Sequence, residues 1–103
     1  MVYVVERYLP GLMRSEFERM LERLDRAAEG LLSEGLAVCH LGSTIVPGDE
    51  ACYCQFEAPS EAAVVEANRR AQAPFDRIVA AVALLPVCAR KQIVETRTEG
   101  EES

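Results

Sequence analysis

Tryptophan is absent from the chain and histidine occurs once, at position 40. One imidazole per copy leaves a histidine-rich metal site short of ligands. Basic residues are also scarce: 11 Lys and Arg stand against 17 Asp and Glu, for a net charge of −6. Neutralising a phosphate backbone needs a basic face, so nucleic acid is excluded as a partner. No apolar run reaches the roughly 18 residues of a membrane helix, and the opening stretch MVYVVERYLPG shows no basic leader. No membrane partner and no secretory signal are expected. Gly42 and Gly48 lack the spacing and the following helix of a phosphate loop.

The chain has four cysteines but no C-x-x-C, which removes the common dithiol redox motif. Cys52 and Cys54 form a C-x-C on a predicted strand. Their α-carbons should lie roughly 6.5–7 Å apart, awkward for a mutual disulfide and a poor match to structural zinc pairs. Reduced cysteines acting as small core residues, in a cytoplasmic protein, are the expectation. A Ser-His-Asp arrangement from Ser43, His40 and Asp49 would violate strand geometry, and no nucleophile elbow is present.

What is there reads as an α+β domain. Residues 2–9, rich in β-branched and aromatic side chains, stop at Pro10-Gly11 and predict a strand. From Ser15, the apolar positions Phe17, Met20, Leu21, Leu24, Ala27, Ala28, Leu31 and Leu32 repeat at helical spacing. Ser15 and Glu18 fit a capping box, and Gly35 a C-terminal stop. Residues 36–46 and 51–58 alternate as strands around the turn Pro47-Gly48-Asp49-Glu50. Ser60 can cap a second helix, which the spacing of Phe75, Ile78, Val79, Val82 and Leu85 predicts to resume after Pro74. Residues 86–97 read as a final strand. The order βαββαβ is the ferredoxin-like plan, one four-stranded antiparallel sheet with both helices on one face. Residues 1–97 form the single expected domain, and 98–103 a charged, disordered tail.

Strand alternation assigns faces. A hairpin turning at Gly48-Asp49 puts Cys39, Leu41, Ser43 and Ile45 with Cys52, Cys54 and Phe56 toward the helices. His40 and Thr44 then face the open side with Tyr53, Gln55 and Glu57, joined by Glu6 and Tyr8 from the first strand. This cluster is the predicted ligand site. His40 beside Glu57 could act as a general base, or as a metal ligand oriented by the carboxylate. Asn68 is expected to be solvated. An apolar open face is most simply covered by two-fold self-association, so the chain's own copy is the expected partner.

The stretches VVERYLPG, FEAPS and EANRRAQAPFDRIV, in this order and spacing, resemble a bacterial family of short domains that includes a nickel-binding, nickel-responsive protein. The resemblance spans roughly residues 2–96. It implies a protomer of the dimeric α/β-barrel type, pairing sheet to sheet, with a pocket between sheet and helices. It also implies nickel, or another divalent transition metal, as a cofactor, for which His40 is the one histidine the chain can offer. The family's segment of W-L-H-S-Y type corresponds here to His40-Leu41-Gly42-Ser43-Thr44, with Gly42 where the family histidine stands. The leading expectation is a homodimer that binds a small ligand or a metal ion. One alternative is a small enzyme of monooxygenase or isomerase type using His40 and Glu57 as acid and base; another is a structural interaction module.

Overall fold

The structure, a computed structural model, describes residues 1–82 and residue 84. Its elements run β1 (Val2–Tyr8), α1 (Arg14–Ser33), β2 (Cys39–Val46), β3 (Ala51–Glu57), α2 (Glu61–Arg70) and β4 (Arg77–Ala81). A short 3₁₀ turn, Pro47–Asp49, joins β2 to β3. The sheet order is β2-β3-β1-β4, and every adjacent pair is antiparallel. This is the α+β, ferredoxin-like fold that the sequence predicts.

The core forms because two periodicities meet. In β1, alternation turns Tyr3, Val5 and Arg7 inward, and in β3 Cys52, Cys54 and Phe56. From α1, Phe17, Met20, Leu24, Ala28 and Leu31 descend on them, spaced three and four apart. Ala63, Val64 and Ala67 of α2 complete the same cluster. All of these lie on one side of the sheet; the other side carries no helix among the described residues.

The helix ends are chemically legible. At the end of α1 the Leu36 N–H donates to the Leu31 carbonyl at 2.9 Å and Gly35 N–H to Leu32 at 3.0 Å, with Gly35 at φ +90°. This is the paired closure that glycine permits because it has no Cβ to clash. Ser60 caps α2, its Oγ accepting from Ala63 N–H at 3.2 Å. The capping box at Ser15 does not form. The helix starts earlier, at Arg14, the cap position is Met13 with no side-chain bond, and Glu18 instead accepts from Arg14 Nε.

A second correction concerns residues 75–85. Phe75, Ile78, Val79 and Val82 have helical spacing, yet residues 77–81 form β4. Pro74 supplies no N–H to continue a helix, and β1 has a free edge that needs partners. Asp76 N–H donates to Glu6 O at 2.8 Å and starts the pairing, which runs from Glu6↔Arg77 to Val2↔Ala81. Backbone satisfaction at the sheet edge outweighed a short helical pattern. The strand predicted at 86–97, Cys88 and the tail at 98–103 lie outside the described residues.

Candidate functional site

One irregularity in β2 decides where the chemistry sits. His40 pairs with Phe56 and Gly42 with Gln55, so Leu41 is an extra residue and the strand bulges. Gly42 at the bulge has φ +158°, which side chains with a Cβ rarely adopt. On a regular strand His40 and Ser43 would point to opposite faces. The extra residue puts both on the helix side, while Leu41 is half exposed. His40 therefore stacks against Phe56, ring centroids 5.1 Å apart, rather than facing Glu57.

The result is a chain of hydrogen bonds across three elements. His40 Nδ1–H donates to Asp25 Oδ1 of α1 at 3.0 Å. Nε2 lies 2.8 Å from Ser43 Oγ, and Ser43 donates its hydroxyl to Cys54 Sγ at 2.9 Å. Cys52 Sγ is 3.5 Å from Cys54 Sγ. Ser43 Oγ therefore bridges the imidazole and the Cys54 sulfur, and the groups it joins shift one another's titration. Cys54 raises the His40 pKa, and Asp25 adds to it against the cost of burial. Cys54 is pulled below the ordinary thiol range by Cys52 first, then by His40, Arg7 and Ser43, against burial. Cys52 is pushed up by Cys54 and by burial.

Beside this chain lies a groove of about 740 Å³ between the start of α1 and the β2–β3 hairpin. Leu12, Phe17, Leu21 and Ile45 line it, with Ser43 and Cys52 toward the core and Arg14 and Glu50 at the rim. Glu50, in the left-handed region at φ +51°, holds the rim by accepting from Gly11 N–H at 2.9 Å.

The predicted cluster of six residues divides. Glu6, Tyr8, Tyr53, Gln55 and Glu57 share the open face, with Glu6 directly across from Tyr53. Arg77 holds the Glu6 carboxylate with two bonds, at 2.6 and 2.9 Å, and lowers its pKa. Glu57 accepts from the Met1 ammonium at 3.1 Å. His40 is on the opposite face, so it forms no acid/base or ligand pair with Glu57; Cys39 is the residue across from Glu57, and it is exposed rather than in the core. Asn68, expected in solvent, is fully buried and donates to Val64 O at 2.8 Å. Sequence reasoning missed Asp25 and Arg7. Asp25 left no signal, being one polar position on a polar helix face. Arg7 did leave one: it occupies the inward position after Tyr3 and Val5.

Comparison with known proteins follows the same outline. The model of the family described as nickel-responsive, SCO4226-like proteins matches residues 3–80. Among solved structures, that of SCO4226 from Streptomyces coelicolor A3(2) is similar, at 20% identity and a TM-score of 0.68. The match covers 82% of this chain and 100% of that one. No curated protein matches.

The His40–Cys54 coupling yields a signed pH prediction. A raised histidine pKa adds stability below pH about 6.5 that is lost as pH rises through the folded value. A lowered thiol pKa adds stability above pH about 8.5 that is lost as pH falls through the folded value. Just above pH about 6.5 the folded state keeps a proton at His40 that the unfolded chain has lost and lacks one at Cys54 that the unfolded chain keeps, so the two slopes oppose each other. Urea unfolding midpoints of the unaltered chain should change little with pH while His40 stays protonated. In Cys54→Ser, where Asp25 still raises His40, they should decline with pH over that window.

Proposed function

Since the chain belongs to the SCO4226-like family of nickel-responsive proteins, we propose that it is a small-ligand-binding domain whose site is the groove between α1 and the β2–β3 hairpin. The observation that carries this reading is the groove itself. Its volume of about 740 Å³ falls within the roughly 300–1,000 Å³ of small-molecule pockets. Its walls are mainly apolar and its inner end presents Ser43, whose hydroxyl is oriented by His40 and Cys54. Such a site takes an apolar molecule with one polar group. Nile red should bind with saturable fluorescence enhancement at one site per chain. Leu21→Trp, which fills the groove, should weaken binding at least tenfold, and Val4→Lys on the opposite face should leave it unchanged. Absence of saturation, or equal loss in both variants, would overturn the assignment.

Nickel itself fits the described residues poorly. Among them no group of three His, Cys, Asp or Glu side chains is close enough to hold one ion. Both ring nitrogens of His40 are already engaged, by Asp25 and Ser43. His40→Ala is therefore expected to leave a calorimetric nickel isotherm unaltered, and loss of nickel uptake in that variant would refute this.

The open face supports self-association. Val2 and Val4 of β1 lie beside Val79 and Ala81 of β4, with Tyr8 and Tyr53 nearby, an apolar strip that a second copy would cover. Sedimentation velocity should show a dimer that Val4→Lys converts to monomer; a dimer indifferent to that charge would move the interface elsewhere.

A further inference from the structure

Arg7 poses the sharpest question in the core. It is 1% exposed; Nη1 donates to Pro74 O at 3.1 Å, while Nε and Nη2 have no partner. A buried cation without an anion is strongly disfavoured. Among the described residues the only other buried polar side chain is the neutral Asn68, so no buried carboxylate balances Arg7. What stands opposite Arg7 on the β1–β3 ladder is Cys52, with Cys54 next along the same face. A thiolate is the anion this core can offer. The hydrogen bonds are arranged for one: Cys54 accepts from Ser43 at 2.9 Å and lies 3.5 Å from the Cys52 sulfur. His40, backed by Asp25, adds positive charge from β2, and the pKa directions of both thiols agree with one shared proton.

We infer that Cys52 and Cys54 form a proton-sharing dithiol that balances the charge of Arg7 and serves as a capture site for a trivalent thiophilic metalloid of the arsenous acid class, entering through the groove. Cys52 is among the residues that line the groove, so the groove ends against the dithiol strand. The two sulfurs, 3.5 Å apart, are slightly closer than the roughly 3.8 Å between two thiolates on a tetrahedral zinc. One small atom can bridge them. A divalent cation would be set against Arg7 in a medium of low dielectric, whereas arsenous acid is neutral and meets no such repulsion.

The capture balances without an oxidant. Two arsenic–sulfur bonds form and two arsenic–oxygen bonds break, and arsenic stays trivalent. The departing hydroxides leave as two waters, one taking the Cys52 proton and the other a proton passed from His40 through Ser43. Arsenous acid, one thiolate, one thiol and one imidazolium thus become a neutral dithioarsenite bearing one hydroxyl, two waters and a neutral imidazole.

This goes beyond groove binding of an apolar ligand and is tested separately. In the full chain carrying Cys39→Ser and Cys88→Ser, native protein is treated with phenylarsine oxide and followed by intact mass and thiol titration. The expected result is one arsenical per chain with both remaining thiols lost, reversal by a dithiol but not by an equal concentration of monothiol, and protection by prior arsenite. Cadmium should protect at least tenfold less well than arsenite. Adding Cys54→Ser should abolish the dithiol-specific adduct, but the measurement on the native parent decides by itself. No adduct on the native chain, an adduct only after denaturation, or protection by cadmium equal to that by arsenite would overturn the inference. Saturable Nile red binding is measured on the same parent chain: an intact isotherm with no arsenical adduct overturns this inference and leaves the groove reading standing.

Discussion

A single extra residue in an edge strand governs the chemistry of this domain. Strand geometry sends neighbouring side chains to opposite faces, and a bulge is the economical way to break that rule locally. With Leu41 looped out, His40 and Ser43 meet on the helix side at 2.8 Å. Without it, one of the two would face the open side, Asp25 would have no imidazole to hold, and Ser43 would have no fixed orientation beside the groove.

The bulge matters because of what lies beneath it. The core is mostly small and apolar, yet it contains an arginine and two thiols within one layer of β1 and β3. Low dielectric makes each unbalanced charge expensive and each correctly placed partner strong. A path of polar contacts runs from exposed Asp25 through His40 and Ser43 to Cys54, and ends near Arg7. Its inner end is dry and its outer end is solvated, so proton position in the core is linked to a group that solvent can reach.

The two faces of the sheet do different work. The helix face holds the groove and the thiols; the open face holds Glu6 clamped by Arg77, with Tyr53 and Gln55 along the central strand. Membership of the nickel-responsive family, together with the likeness of this fold to that of SCO4226 at low identity, places the chain among its relatives. Gly42 adopts a backbone angle that a histidine would resist, so the residue that makes the bulge is also unsuited to carry a ligand side chain there.

Much of the architecture was legible in the residues. The three-and-four spacing of Phe17 to Leu32, the alternation of β1 and β3 and the turn at Pro47 follow from local chain geometry, and they determined element order, fold class and the inward set Cys52, Cys54 and Phe56. Even the bulge had a local sign, a glycine inside a strand pattern. What the sequence could not decide were outcomes set by distant partners. Residues 77–81 became a strand because the edge of β1 needed hydrogen bonds, although their spacing suited a helix. His40 left the predicted cluster because a one-residue register change reverses a face. Asp25 became its partner because packing α1 on the sheet brought together residues 15 positions apart. Sequence by itself determined periodicity, and with it the layers. Tertiary structure decided register and the contacts across layers, because those energies depend on which groups are buried together.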